Sequence, residues 1–593
     1  MTDKALGFVS NIFTKDGKTY VTLVLNYEEL RETPLMLGEF VKVKTGAYYK
    51  GNDNVFLGMV TASQYRPVTY DKFQEALALG RLNQLQPDEN TVKNINFLHY
   101  DIIILGSYIV EKDGNYKFYP STRHVPSLID VTVSRLEDKE LQVLINVSIQ
   151  ADDTSQQTSQ AQQDAHITNL GFLQIGSSPA GEYKNIKKQV DISNFRGKRT
   201  ANFGKTGFGK SNENKVVLTL LKKTYPNMGI LIFDVNGEYA SQKTSKTSMG
   251  LVEVFEQLGR PGNIIWFTNR QKELQSESQI YTAKPIKINF YNEPGLAIEL
   301  AYQKEMMSSG NPPKYLEAAR MGLDSENGEW IDSPNRMAYV YGAFIEAGLK
   351  LPSNMPPIWY ANKSYHMPTA KHDLLEKLKG KSEAGESKDG ARDLFNYAKR
   401  FSFLNDLHAP EKVDEFFTSA AESAIEGKTV IVDLPTVRPE MVDFLSARLA
   451  NKVFQKALAR YSSSESEEKR LTDVLIVIEE AHNLLSKPEG VFYRIAKEGR
   501  KYGLGLLYST QSPKTIPTEI LSQTENYFIK HVSSEEDVIQ LQKSKVAFAE
   551  PISDFILNEP IIGLSYVYME PYQPFPVPVH VRLLDDVVQQ IKT

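Results

Sequence analysis

The stretch KRTANFGKTGFGKSNENKVV, residues 198–217, limits what this chain can fold into more than any other. Within it Gly204–Ser211, GKTGFGKS, fits the pattern G-x-x-x-x-G-K-[ST] at every fixed position. A phosphate is wrapped by successive backbone N–H groups only where side chains do not intrude and φ can turn positive. Gly204, Gly207 and Gly209 supply that freedom, with Thr206 between them. A helix beginning near Lys210 then points its unpaired N–H groups and positive dipole end at the phosphate. In this reading Lys210 bridges the outer phosphate oxygens and Ser211 ligates Mg²⁺. The apolar run after the loop, Val216, Val217, Leu218, Leu220 and Leu221, suits a buried helix rather than an accidental glycine turn.

Composition narrows the remaining classes. At 593 residues, 41% apolar and 24% charged, the chain is an ordinary globular protein of several domains. Its longest apolar runs, ILIF at 230–233 and VLIVI at 474–478, are too short to span a bilayer, and MTDKALGFVS lacks a signal-peptide core. A cytoplasmic protein with no membrane segment is expected. The absence of cysteine excludes disulfides, thiolate nucleophiles and cysteine-ligated zinc. A net charge of −5 gives no global nucleic-acid signature, so any DNA contact must come from a local basic surface.

Taken in order, residues 1 to 66 read as short strands, YVTLVLN, EFVKVKTG and VFLGMVTA, separated by Gly, Asn and Asp turns. That spacing suggests a small barrel or sandwich. Residues 70–95 read as helical, YDIIILGSYIV at 100–110 as a strand, and LQVLINVSI at 141–149 as a further strand. ADDTSQQTSQAQQDA at 151–165 is a polar linker or polar helix and marks the approximate domain boundary. The basic stretch YKNIKKQVDISNFRGKR between it and the loop is either a solvated face or a polyanion contact.

Beyond the loop, strands alternate with helices, as in a parallel sheet covered on both faces. The candidate strands are 229–235, 263–268, 429–435, 473–480, 504–511 and 526–532. Ligands in such sheets sit beyond the carboxyl ends of the strands. One of those ends, VLIVIEEAH at 474–482, carries two adjacent acids that a buried strand avoids unless its chemistry needs them. Glu479 is assigned to the metal shell and Glu480 to polarising the attacking water. Thr510 and Gln511 end the next strand, where the amide senses the outer phosphate or the chain simply turns before Pro513. Arg500, in AKEGRKYG, is either a finger reaching a neighbouring subunit's site or a cation at a helix end. Arg196 and Arg199 are weaker candidates for the finger.

The set GKTGFGKS, FDVNGEY at 233–239, LIVIEEAHNLL at 475–485 and EGRKYGLGLLYSTQSP at 498–513 resembles the HerA family of hexameric DNA-translocating ATPases, within the wider HerA/FtsK group. The resemblance implies an α/β fold: a RecA-like P-loop ATPase core with a parallel sheet, an N-terminal β-barrel and a helical insertion. It divides the chain into an N-terminal barrel with linker at 1–168, core segments at 169–294 and 426–558, a helical subdomain at 295–425, and a C-terminal strap at 559–593 that crosses onto the adjacent subunit. It implies ATP and Mg²⁺ as cofactors, a homo-hexamer, double-stranded DNA, and a nuclease or nucleotide-degrading effector seated on the N-terminal face. Lys210, Ser211, Glu479, Glu480, Arg500 and Gln511 carry over by motif position. The family often has Asp where this chain has Glu479. A nucleotide-gated ring scaffold in antiphage defence and a P-loop phosphotransferase are the alternative readings; the paired acids argue against the second. Phe8, Tyr48, Tyr49 and Phe56 are candidates for a docking surface or for core packing.

Overall fold

In residues 18–25, KTYVTLVL, every second side chain of the strand's latter half, Val21, Leu23 and Leu25, packs into a shared apolar core with Val41, Val43, Phe56, Val60, Ile102, Ile104 and Val133. The computed structural model describes residues 5–592 apart from 26–33, 46–53, 66–97, 111–115, 121–130, 148–165, 242–248, 260–262, 324–333, 381–390, 412–415, 464–471, 487–489 and 571–572. The expected helix at 70–95, the linker at 151–165 and Tyr48 and Tyr49 lie outside the described residues, as does most of the exposed loop expected at 379–390. Two units divide the chain: Met1–Tyr225 with Glu480–His482 and Leu507–Thr593, and Pro226–Glu479 with Asn483–Leu506. Strands are numbered β1–β21 along the chain.

The first unit opens with seven strands: β1 (Phe8–Lys15), β2 (Lys18–Leu25), β3 (Phe40–Thr45), β4 (Asn54–Tyr65), β5 (Leu98–Val110), β6 (Tyr116–Tyr119) and β7 (Thr132–Arg135). Their order is β1-β2-β5-β4-β3-β7, with β6 on β5. A barrel is the sequence expectation. What is described is an open strand order, with Leu6 N, just before β1, donating to Val133 O on β7 at 2.8 Å. Phe56 is core at 2% exposure, whereas Phe8 is 56% exposed.

Residues 141–147, the described part of the strand expected at 141–149, do not form it. Asp138–Leu144 is a helix, started by reciprocal capping between Glu137 and Glu140. Leu141, Leu144 and Ile145 are buried at the three- and four-residue spacing of one helix face, a period that the short run LQVLINVSI also fits. Glu140 pairs with Lys42 at 2.9 Å, which ties the helix to β3.

The same unit holds β8 (Ile167–Gln174), β9 (Glu182–Asp191), β10 (Arg199–Phe203), β19 (Asn526–Ile529), β20 (Leu564–Met569) and β21 (Val577–Val581), in the order β10-β19-β20-β21-β8-β9. β10 and β19 are parallel; the other pairs are antiparallel. The stretch 559–584, expected to cross onto an adjacent subunit, here contributes β20 and β21 to the chain's own sheet. Every residue of β20 is buried, so leaving the sheet exposes surface that the fold covers.

In the second unit five parallel strands run β13-β12-β16-β11-β17. They are β11 (Gly229–Asp234), β12 (Ile264–Phe267), β13 (Tyr281–Lys284), β16 (Thr429–Asp433) and β17 (Val474–Ile478). Between β13 and β16 come helices Pro294–Ser309, Lys314–Leu323, Pro334–Glu346, Lys371–Lys379, Ala391–Asn396 and Phe416–Ile425, with a small hairpin of β14 (Ile358–Tyr360) and β15 (Lys363–Tyr365). Asp234 and Asp433 pair in register at the carboxyl ends of β11 and β16, and Glu479 follows the last residue of β17. Among the described residues no helix is long and apolar enough to cross a membrane.

Candidate nucleotide site

The loop between β10 and helix Lys210–Thr224 takes the backbone path its glycines allow. Gly204, Gly207 and Gly209 have φ of 144°, 86° and 96°, values that a β-carbon makes costly. Gly209 is the helix N-cap and makes no side-chain cap hydrogen bond, and a helix N-terminus is where an anion is favoured. Lys210 Nζ curls back to donate to the carbonyls of Gly204 at 2.6 Å and Lys205 at 3.2 Å. The helix behind the loop is apolar along Val216, Val217, Leu218, Leu220 and Leu221, all buried. That burial fixes the direction in which its N-terminus points.

The loop is rooted in its own unit. Gly204 N donates to Thr510 O at 3.3 Å and Lys205 N to His531 O at 3.0 Å, so the ends of β18 (Leu504–Thr510) and β19 hold its descending limb. Thr510 is buried and receives Ser512 N on its hydroxyl at 3.3 Å, a turn-forming role. Gln511 is exposed, and its amide donates to Glu480 Oε1 at 3.1 Å. Glu480 has φ of 47°, a left-handed conformation uncommon for a side-chain-bearing residue and a mark of functional positioning. His482 Nδ1 lies 3.5 Å from Glu480 Oε2. The structure therefore brings Glu480 and Gln511 together.

The second unit ends its strands differently. Asp234 is buried and accepts three backbone N–H groups: Gly237 at 2.7 Å and Glu238 at 3.0 Å on one oxygen, Tyr239 at 3.0 Å on the other. Burial pushes its pKa up to about 6, against the lowering effect of those donors, and Asp433 nearby adds to the rise. Asp433 accepts Thr268 Oγ1 at 2.6 Å and a two-pronged Arg270 at 2.7 and 3.2 Å. The hydrogen bond with Asp433 raises the Arg270 pKa further. The turn that Asp234 caps presents Asn236, whose amide donates to Glu479 Oε2 at 3.1 Å. Among the described residues no group of three or more His, Asp or Glu side chains is placed to hold a metal ion.

Of the arginines, Arg500 is exposed on the short 3-10 helix Gly499–Tyr502. Arg199 is engaged by Glu525 at 2.7 and 3.0 Å and by Gln523 at 3.2 Å, and Arg196 sits 4.3 Å from the centre of the Tyr225 ring. Both serve their own chain. Sequence reasoning passed over Asn202, Glu213, Lys530, Asn236 and the Asp433–Arg270 pair. The signal for Asn236 was present in FDVNGEY, where an acid ends a buried strand and Asn-Gly makes the turn after it.

A glycine-lined loop feeding an uncapped helix, with Lys210 folded into its curl and Ser211 next in line, defines the phosphate-binding-loop class of α/β nucleotide-binding proteins. Residues 173–315 match the family described as "Helicase HerA, central domain". The chain is 30% identical over 205 residues to the DNA double-strand break repair helicase HerA of Sulfurisphaera tokodaii, covering 32% of this chain and 37% of that one. To the protein of the same name from Pyrococcus furiosus it is 25% identical over 399 residues, 63% of each chain. Residues 173–315 are therefore similar to the central domain of the HerA helicases. The chain's alignments with the Sulfurisphaera tokodaii protein and with that of Sulfolobus acidocaldarius each span 37% of the relative's length. Among solved structures, the bacterial conjugative coupling protein TrwB aligns at 14% identity and a TM-score of 0.35, over 69% of this chain and 89% of that one, too loosely to bear on function.

Proposed function

We propose that this chain is an ATPase that couples hydrolysis to movement along double-stranded DNA, working as a ring of six subunits. The observation that carries the reading is the pairing, within one unit, of an open phosphate cradle at Gly204–Ser211 with a strained acid, Glu480, held by Gln511. The cradle fits a nucleoside triphosphate. A β-carbon at Gly207 meets no heavy atom within 4 Å, and the helix N-terminus behind the loop carries no side-chain cap.

In this proposal the loop N–H groups, Thr206 and Lys210 hold the phosphates of ATP. Ser211 and Glu479 are the proposed groups for Mg²⁺, which supplies charge neutralisation for the phosphates when bound. Glu480 accepts a proton from the attacking water, and Gln511 fixes the direction of that carboxylate. Arg500, exposed on its short helix, is proposed to act on a neighbouring subunit's site. Contacts to DNA are made to the phosphate backbone and carry little sequence preference. An effector that degrades nucleic acid or nucleotides, seated on the N-terminal strands around the exposed Phe8, completes the proposal. Movement along DNA is supported by the similarity to the HerA double-strand break repair helicases.

The test is phosphate release by the purified chain, with and without duplex DNA, alongside its mass in solution. Magnesium-dependent hydrolysis that rises with DNA of any sequence and falls with salt is expected. A monomer whose hydrolysis ignores DNA contradicts the translocase reading while leaving the nucleotide site standing.

A further inference from the structure

Directly behind the phosphate loop lies a charge pair that the nucleotide reading does not use. Lys530, one residue past β19, and Glu213, in the first turn of helix Lys210–Thr224, form an ion pair with side chains 1% and 0% exposed. Burying two opposite charges is unfavourable unless their geometry is well served, so such a pair is seldom kept for stability alone. Here the geometry leads to the loop. Lys530 Nζ also donates to Asn202 Oδ1 at 3.0 Å, and the Asn202 amide donates to Asn214 Oδ1 at 2.8 Å and to Lys210 O at 3.3 Å.

The main chain repeats the arrangement. Lys530 N donates to Phe203 O at 2.9 Å, and Lys205 N donates to His531 O at 3.0 Å, bracketing Gly204 on both sides. A β-carbon on Gly204 meets Lys530 Cβ at 2.6 Å, so the loop rests against the lysine's own stem. Ser565 Oγ on β20 reaches Glu213 Oε2 at 3.5 Å from the opposite side. Strand β10, strand β19, strand β20 and the first helical turn therefore converge on one buried cluster.

We propose that Lys530, Glu213 and Asn202 are positioning residues for nucleotide binding: together they set the curvature of Gly204–Lys210 and the aim of its N–H groups. None touches the ligand. The proposal rests on the reading of the loop as a nucleotide site and adds the residues that hold it in shape.

The test measures binding of a fluorescent N-methylanthraniloyl ADP, the Michaelis parameters for ATP, and the melting temperature. Removing one member strands a buried charge, so Lys530→Met and Glu213→Gln are expected to melt early. The double variant Lys530→Met/Glu213→Leu removes both charges at similar volume, which restores stability in comparable pairs. It is expected to melt near wild type, bind the ADP probe at least tenfold more weakly, and raise KM for ATP with kcat changed less than about threefold. A double variant that melts and binds like wild type overturns the proposal. Should it fail to fold, Asn202→Ala decides: it leaves the ion pair intact, and wild-type binding by that variant equally overturns it. Lys210→Ala is the control. If wild type and Lys210→Ala alike fail to bind the probe, the nucleotide reading itself falls and the brace is not at fault.

Discussion

At Gly204–Ser211 backbone conformation carries the chemistry: three glycines with positive φ shape the loop, and no side chain caps the helix start. At the carboxyl ends of β11 and β16 the polar groups are instead consumed by their own surroundings. Asp234 is saturated by three backbone donors, and Asp433 by Thr268 and Arg270. The contrast separates recognition from construction. A polar group with its partners already in the chain builds the end of a strand, whereas one held open by conformation is available to a ligand. Of the two acids after β17, Glu479 is buried and bonded to Asn236, and Glu480 is strained and half-exposed beside Gln511.

If that division is right, substitutions in the two regions must fail in different ways. The largest effect belongs to Lys210→Ala, which is expected to weaken nucleotide binding by about two orders of magnitude, in line with charge-assisted phosphate contacts, while the melting temperature hardly moves. Isothermal titration with ADP checks it. Asp234→Ala does the reverse. It leaves three N–H groups without their acceptor and is expected to cost roughly 3 kcal/mol in urea unfolding, with nucleotide affinity of the folded fraction unchanged. Comparable loss of affinity in that variant removes the distinction drawn here.

Asp234 also gives a pH signature. Its pKa is raised by burial from the ordinary 3.8 to about 6, so the folded state holds the proton more tightly than the unfolded state. The stability it contributes is present below about pH 4 and is lost as pH rises through 6, on the order of 2–3 kcal/mol. Urea midpoints measured between pH 4 and 7 are expected to show that slope in wild type and a flatter one in Asp234→Asn. An unchanged slope assigns the effect to other groups. The smallest expected effect is Gly207→Ala. Its φ of 86° disfavours a side chain but nothing lies within 4 Å of the added carbon, so strain of about 1 kcal/mol in stability is expected. Gly204→Ala, which drives a carbon against Lys530, is expected to be the worse of the two by both stability and ADP binding.

The loop and the buried strands were legible in the sequence because both are local patterns. GKTGFGKS states its own spacing, and GILIFD, TVIVD and VLIVI are apolar runs whose length alone fits a strand buried on both faces. The helix at Asp138–Leu144 was not legible as such. Its apolar residues satisfy alternation as well as helical spacing, and its capping acids, Glu137 and Glu140, lack the usual Ser or Thr partner. The buried Lys530–Glu213 pair was hidden for another reason. In FIKHV and KSNENK the two charges read as a solvated strand end and a helix surface, and only the pairing of β10 with β19 brings them together. Contacts between residues more than 300 positions apart leave no local trace in one sequence.

The central claim is that the strained Glu480 beside the open loop performs ATP hydrolysis, and Glu480→Gln addresses it most directly. Gln keeps the size and the contact with Gln511 but cannot take a proton. Nucleotide affinity and single-turnover phosphate release are measured on wild type and Glu480→Gln side by side. The account predicts affinity within about twofold of wild type and release slowed by roughly a hundredfold or more. Release from Glu480→Gln at a rate near wild type contradicts it.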